Sequence, residues 1–172
     1  GVNFAGSVGG QYGNGENPVA IAYRAKDNRN KSNMFFGNVF GEYDIISDLI
    51  FKTSFGMKYE NYNGISFTYP NPEFTEGSFN NGMNEYFGFN KEWTWTNTIN
   101  YKPSIGDDHT LNVLLGTEAI SNRNREISGR GNGFFTLESL DYFYLDATTN
   151  SQMPFGGGSV GSLFSLFGKA DY

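Results

Sequence analysis

The 172-residue sequence lacks cysteine altogether and contains a single histidine, His109. The absence of cysteine excludes disulfide frameworks, thiolate metal sites, iron–sulfur clusters and cysteine nucleophiles. One histidine leaves no His-rich metal cluster and no pair of histidines for acid–base chemistry. We therefore predict that the chain has no metal site and no cofactor.

Charged residues are also scarce, at 17% of the chain against the usual quarter. The net charge of −6 excludes the basic footprint that a nucleic-acid-binding protein needs, so we predict no nucleic-acid partner. No stretch approaches the roughly 18 apolar residues of a transmembrane helix. This absence does not exclude a membrane β-barrel, because membrane-spanning strands give a much weaker hydrophobicity signal in the sequence than helices do.

Aromatic residues and glycine are abundant instead, with aromatics at 17% of the chain and 23 glycines. Disordered chains are poor in aromatics, and helical domains need more Ala, Leu, Glu and Lys than this chain has. The composition predicts an all-β fold.

Alternation of apolar and polar residues predicts where the strands lie. In the second segment, for example, Leu49, Phe51 and Phe55 alternate with Lys52 and other polar residues, which is typical of a strand with one apolar and one wet face. We predict long antiparallel strands at about 34–46, 49–61, 86–102, 109–120 and 162–172, with residues 1–33 mostly loop and long loops at 63–85 and 121–161.

These segments are longer than the roughly 5–6 residues of an average globular strand. Their connections alternate between short and long, as the periplasmic turns and extracellular loops of outer-membrane barrels do. The pattern favours a transmembrane β-barrel over a soluble or secreted β-rich glycan-binding module, or a structural surface protein without a ligand. In the barrel, the lipid-facing strand positions would include Phe51, Phe55, Met57, Trp93, Trp95, Leu111, Val113 and Leu115.

Several short motifs follow one another in order from about residue 17 to the last residue of the chain. They are Asn17-Pro18-Val19-Ala20, Lys26-Asp27-Asn28, Phe36-Gly37-Asn38-Val39, Phe51-Lys52-Thr53-Ser54-Phe55-Gly56, the run from Trp93 to Tyr101, the run from His109 to Glu118, Ile127-Ser128-Gly129, and the run from Ser162 to Lys169. Together these motifs resemble the SusC/RagA family of TonB-linked outer-membrane proteins of Bacteroidota. Each motif alone is weak, but the ordered set is highly specific.

The resemblance implies a plugged barrel of about 22 strands in the outer membrane of a Gram-negative bacterium. It also implies uptake of oligosaccharides or peptides, a SusD-like surface lipoprotein as partner, outer-membrane lipid around the barrel, and the TonB complex acting through a plug. Only the middle part of the barrel is matched, so the resemblance implies a segment of a large transmembrane β-barrel, a fragment from which the plug domain is absent. Five strands cannot close a barrel that needs about eight, so we expect the isolated fragment to self-associate through its edges.

No residue pattern points to catalysis, so we predict no catalytic residue and no enzyme. Carboxylates on the wetter strand faces are not spaced as a pair, and His109 is expected at a turn. Aromatic rings in the predicted loops could contact a ligand or a partner, or could form a small core of the loops themselves. These candidate contact residues are Phe67, Tyr69, Phe74, Phe79, Tyr142, Phe143 and Tyr144.

Overall fold

The computed structural model describes residues 5–6, 16–73, 77, 79–106, 109–134 and 143–172, without the side chains of residues 151 and 152. Within these ranges the chain forms a helix, five long strands and a single 3₁₀ turn. The elements are α1 (Pro18–Ala25), β1 (Arg29–Ile46), β2 (Leu49–Thr68), β3 (Gly82–Tyr101), β4 (Asn112–Asn132), the 3₁₀ turn (Leu145–Ala147) and β5 (Asn150–Asp171).

The strands form one antiparallel sheet in the order β1-β2-β3-β4-β5, so each strand pairs with its neighbour in the sequence. This confirms the predicted fold class, an all-β sheet of long antiparallel strands. In the described part of the chain, no helix has both the length and the apolar character needed to cross a membrane.

The structure corrects the predicted strand bounds, mostly by lengthening them. β2 runs on to Thr68 and β3 begins at Gly82, so most of the predicted loop 63–85 is strand. β4 likewise reaches Asn132 and β5 begins at Asn150, which leaves a connection of 133–149 where a loop was expected at 121–161. These extensions are rich in Gly, Asn and Ser and lack alternation, and the backbone ladder needs no alternation to form.

The region expected to be mostly loop, residues 1–33, contains α1 and the first residues of β1. Asn17 begins the helix as its N-cap, because its side-chain oxygen accepts from the backbone amides of Val19 at 2.9 Å and Ala20 at 3.3 Å. Pro18 follows at the first helical position, where its missing N–H is not needed. This Asn-Pro pair is a helix-start signal, and the segment expected to be mostly loop therefore includes a helix at Pro18–Ala25.

The chain divides into two compact units. Unit 1 comprises Gly1–Ser32, Tyr62–Gly88 and Glu126–Gly157, and unit 2 comprises Asn33–Asn61, Phe89–Arg125 and Gly158–Tyr172. Unit 1 holds α1 and the two long connections, whereas unit 2 holds the short connections at 47–48 and 102–111.

Unit 1 contains a small apolar core around Met83, Phe134 and Phe143, which are 2%, 9% and 6% exposed. The Phe134 and Phe143 rings are 4.4 Å apart between centroids. Asn81 holds the start of the β4–β5 connection beside this core, since its side chain accepts from the Phe134 amide at 2.7 Å and donates to the Phe134 carbonyl at 3.1 Å. These two hydrogen bonds take the place of a backbone pair between neighbouring strands.

Candidate functional site

Seven of the eight predicted lipid-facing positions lie on the apolar face of β2, β3 and β4 in unit 2, and Leu111 directly precedes β4. Leu115, Trp95 and Phe55 are the most open of them, with 60%, 49% and 41% of each residue exposed. The Phe55 and Trp93 rings stack across β2 and β3 at 6.2 Å between centroids. The remaining predicted positions, Phe51, Met57, Trp93, Leu111 and Val113, are half-buried.

Polar side chains interrupt this apolar face but bond to one another. Trp95 Nε1 donates to Thr53 Oγ1 at 3.0 Å, and Thr53 Oγ1 donates to Asn97 Oδ1 at 2.8 Å. Asn97 Nδ2 in turn donates to Thr117 Oγ1 at 3.5 Å. The ladder explains how Asn97 fits among apolar neighbours, because a buried or lipid-exposed polar group is tolerated when it is hydrogen-bonded.

The opposite face of the sheet in unit 2 is lined by charge and amides. Glu118 accepts from Thr96 Oγ1 at 3.2 Å, and Glu60 accepts from Asn90 Nδ2 at 3.2 Å. Each of these carboxylates therefore has an uncharged hydrogen-bond donor from a neighbouring strand. Such a face can hold water and polar solutes, whereas the apolar face cannot.

The predicted contact aromatics separate into different environments in unit 1. Phe143 lies in the apolar core, and Phe67, which was expected in a loop but lies in β2, packs against it edge-on at 5.4 Å and 89°. Phe79 and Tyr144 are exposed, at 76% and 62%. Phe74 and Tyr142 lie outside the described residues.

Tyr69 and Phe67 come together at a pocket of about 280 Å³ beside α1, which also includes Asn28 and Arg24. The Phe67 and Tyr69 ring centroids are 6.3 Å apart. The pocket combines aromatic surface with amide and guanidinium groups, a mixture that suits a small polar ligand.

Two charged contacts fix the surroundings of this pocket. Arg24 donates to both oxygens of Glu73, at 2.6 and 2.7 Å, and this bond lowers the pKa of the Glu73 carboxyl. Tyr69 donates to Asp27 Oδ2 at 3.2 Å, and burial together with the negative Asp27 raises the pKa of Tyr69 to about 12. Hydrogen bonding from Lys26 lowers the pKa of Asp27. The tyrosine is therefore neutral and the carboxylates charged at neutral pH.

A second aromatic group in unit 1 was not predicted from the sequence. The Tyr62 and Tyr86 rings lie 6.2 Å apart at 52°, where the outer end of each ring sits over a glycine of the other strand. A Cβ added to Gly64 would come within 2.5 Å of Tyr86, and one added to Gly88 within 2.5 Å of Tyr62. The signal in the sequence is a repeated Tyr-x-Gly, at residues 62–64 and 86–88.

Both phenol groups of this pair are anchored. Tyr62 Oη donates to Glu126 Oε2 at 3.0 Å, and Tyr86 Oη donates to Asn30 Oδ1 at 3.0 Å. We call Asn30, Tyr62, Tyr86 and Glu126 the tyrosine–glutamate cluster. Glu126 is exposed and the two tyrosines are half-buried, so part of the cluster is open to a solute.

In the part of the chain that the structure describes, no three His, Asp or Glu side chains converge as a metal site would require. His109 precedes β4 and stacks on Tyr172, with 2.7 Å between His109 Nδ1 and the phenol oxygen.

The fold is similar to that of solved structures of a peptide transporter. No protein-family model and no curated protein sequence matches the chain. The structure of the RagAB peptide transporter superposes with a TM-score of 0.77 over 88% of this chain at 22% identity. The RagAB peptide importer matches in its open-open state, with a TM-score of 0.72 over 88% at 23% identity, and in its closed-closed state, with 0.71 over 87% at 25% identity.

The chain spans 17% of the length of the first of these matched chains. The likeness confirms the SusC/RagA-type resemblance at the level of the fold, which is that of a segment of a transporter-like β-barrel.

Proposed function

We propose that the chain forms part of the wall of a TonB-dependent transporter in the outer membrane of a Gram-negative bacterium. Its parent protein imports peptides or oligosaccharides together with a SusD-like surface lipoprotein, and the TonB complex acts through a plug outside this chain. The role is passage and selection, not bond-making, so the chain is not an enzyme. The observation that carries the proposal is the pair of opposed faces in unit 2, on a fold similar to RagAB.

The apolar face supports lipid contact because its large side chains are open to the surroundings. Leu115 and Trp95 are exposed on this face, and the polar side chains between them hydrogen-bond to one another along the Thr53–Asn97–Thr117 ladder. In hydrocarbon each unsatisfied polar group costs several kcal/mol, so hydrogen bonds among these side chains favour contact with lipid. The face bearing Glu118 then lines the water-filled side.

The unpaired sheet edges support self-association of the isolated chain. Among the residues that the structure describes, β1 and β5 each have one neighbour in the sheet, and every residue of β1 is exposed. Unpaired strand edges with apolar side chains pair with other chains. Light scattering of the purified chain in detergent is expected to show oligomers, and a stable monomer would contradict this part of the proposal.

The absence of cysteine allows a direct test of which face meets lipid. We would introduce Leu115→Cys on the apolar face and, as its matched control, Thr96→Cys on the polar face, and label each with an environment-sensitive fluorophore in liposomes. Brominated lipids are expected to quench the label at 115 and not at 96, and a water-soluble thiol reagent should react faster at 96. Equal quenching at both positions, or none, would overturn the proposed membrane role.

A second measurement separates the transporter from the glycan-binding module. The native gene product is expected in the outer-membrane fraction, released only by detergent and co-purifying with a lipoprotein. A product that is soluble without detergent would favour the glycan-binding module, for which the pocket beside Phe67 and Tyr69 would be the first candidate site. Leu115→Arg is expected to destabilise a lipid-inserted barrel by about 2–4 kcal/mol if the position lies near the bilayer midplane.

A further inference from the structure

The tyrosine–glutamate cluster brings two aromatic rings next to a carboxylate that has no cationic partner. Glu126 takes part in no ion pair among the residues that the structure describes, and Arg130, further along β4, makes none with it. Its hydrogen bond from Tyr62 reaches Oε2 and leaves Oε1 as an acceptor. A charged group with this environment is a candidate for binding a positively charged solute.

The hydrogen-bonding capacity of the cluster also selects a cation. Tyr62 donates its O–H to Glu126, and Tyr86 donates its O–H to Asn30, so neither phenol has an O–H left to offer a solute. Among these four side chains only Asn30 Nδ2 still offers a donor. A sugar presents hydroxyls that need both donors and acceptors, whereas an ammonium or guanidinium group presents donors alone. The cluster therefore matches a cation better than a neutral sugar.

The two rings add a further attraction for positive charge. An ammonium or guanidinium group within about 6 Å of a tyrosine ring centroid is attracted by the ring quadrupole. Gly64 and Gly88 allow the rings to lie close to the sheet, and the anchored phenols fix the ring positions before a solute arrives. A site ordered in advance loses less entropy on binding.

We propose that the tyrosine–glutamate cluster binds the cationic group of a peptide, either a lysine or arginine side chain or a terminal ammonium. The inference rests on the proposed function, because it takes the face bearing Tyr62, Tyr86 and Glu126 as the one that solutes pass. It narrows the solute from peptides or oligosaccharides to peptides that carry positive charge.

The test uses the whole chain in detergent micelles and three probes: the tripeptide Gly-Lys-Gly with blocked termini, the same peptide acetylated on its lysine, and maltotriose. Binding is followed by NMR chemical-shift changes of the tyrosine rings. Gly-Lys-Gly is expected to shift Tyr62 and Tyr86 and to bind about tenfold more tightly than its acetylated form, a difference of about 1.4 kcal/mol. Equal binding of the two peptides, or tighter binding of maltotriose, would overturn the inference.

Variants assign the binding to the cluster. Glu126→Gln keeps an acceptor for Tyr62 but removes the charge, and is expected to weaken Gly-Lys-Gly binding about tenfold. Glu118→Gln is the matched control on the same strand, since Glu118 accepts from a hydroxyl but touches no aromatic ring in the described contacts, and it should leave binding unchanged. Tyr62→Phe retains the ring but removes the hydrogen bond that anchors it to Glu126, so it should weaken Gly-Lys-Gly binding less than Glu126→Gln does.

Unchanged affinity in Glu126→Gln would overturn the inference. The lipid-quenching test at Leu115 does not involve the cluster, so the two proposals fail separately. Quenching at 115 without lysine-dependent binding would leave the membrane role standing and remove the cationic site. Absence of quenching would instead remove the membrane role on which the inference depends.

Discussion

Replacing Gly88 with alanine should open the packing between Tyr62 and the neighbouring strand. The added Cβ would lie 2.5 Å from the Tyr62 Cζ and Oη atoms, which is closer than any real side chain tolerates. The ring end is the part that can yield, so it must swing away from β3. That movement breaks the 3.0 Å hydrogen bond to Glu126 and separates the ring from Tyr86.

The expected cost follows from opposing effects. Overpacking of this kind costs about 1–3 kcal/mol. Gly88 has no positive φ, so alanine can adopt its backbone conformation. The replacement then stabilises the fold by about 0.4–1 kcal/mol, because alanine lowers the conformational entropy of the unfolded chain. We therefore expect Gly88→Ala to lower the free energy of unfolding by about 1–2 kcal/mol, or the melting midpoint by a few degrees.

Thermal unfolding of the chain in detergent micelles, followed by circular dichroism, measures this cost. Gly157→Ala is the matched control, because a Cβ at Gly157 meets nothing within 4 Å and its φ is not positive, so its stability should be unchanged or slightly higher. Tyr62→Leu removes the clashing ring end, so in that background Gly88→Ala should no longer lower the free energy of unfolding. If Gly88→Ala were as stable as Gly157→Ala, the ring would not rest on Gly88 and the reasoning would be refuted.

Three further predictions concern unit 1. Because Arg24 lowers the pKa of Glu73, the ion pair should be fully formed above pH 4.5, the ordinary carboxyl pKa, and should be lost as the pH falls through the lowered pKa. The NMR signal of the Arg24 guanidinium should report this loss, and in Glu73→Gln that signal should no longer depend on pH. The raised pKa of Tyr69 predicts that its phenol ionises at about pH 12, so its contribution to stability is complete below pH 10 and lost as the pH rises through 12. Ultraviolet difference spectra against Tyr69→Phe would check this, and Asp27→Asn should lower that pKa. Asn81→Ala removes two hydrogen bonds to the β4–β5 connection, at a cost of about 1–3 kcal/mol, and should speed amide exchange there while α1 is unaffected.

The number of strands, their order along the chain and the short turn at 47–48 could be predicted from alternation alone. In β2 the residues from Leu49 to Asn61 sort apolar and polar side chains between the two faces, and this sorting is what a half-buried strand requires. The resemblance to SusC/RagA-type proteins then predicted the fold that the RagAB comparisons confirm.

The parts that could not be predicted depend on contacts between distant residues. Beyond residue 61, β2 continues through Tyr62 and Gly64, where the stabilising contact is a ring from another strand and not a periodic pattern. The burial of Phe143 likewise depends on the β4–β5 connection meeting β3, and Phe143 alone gives no such signal. Whether the predicted contact residues and lipid-facing positions serve those roles stays a prediction.

The pairing of every strand with its sequence neighbour also bears on how fast the sheet forms. The entropic cost of pairing two strands depends on the length of the connection between them, and this cost rises slowly with that length. The hairpin of β1 and β2, joined across 47–48, should form soonest, whereas β5 must wait for closure of the 133–149 connection. A meander of this kind has only local pairings, so it can assemble hairpin by hairpin without the delay that distant strand pairing imposes on most β proteins.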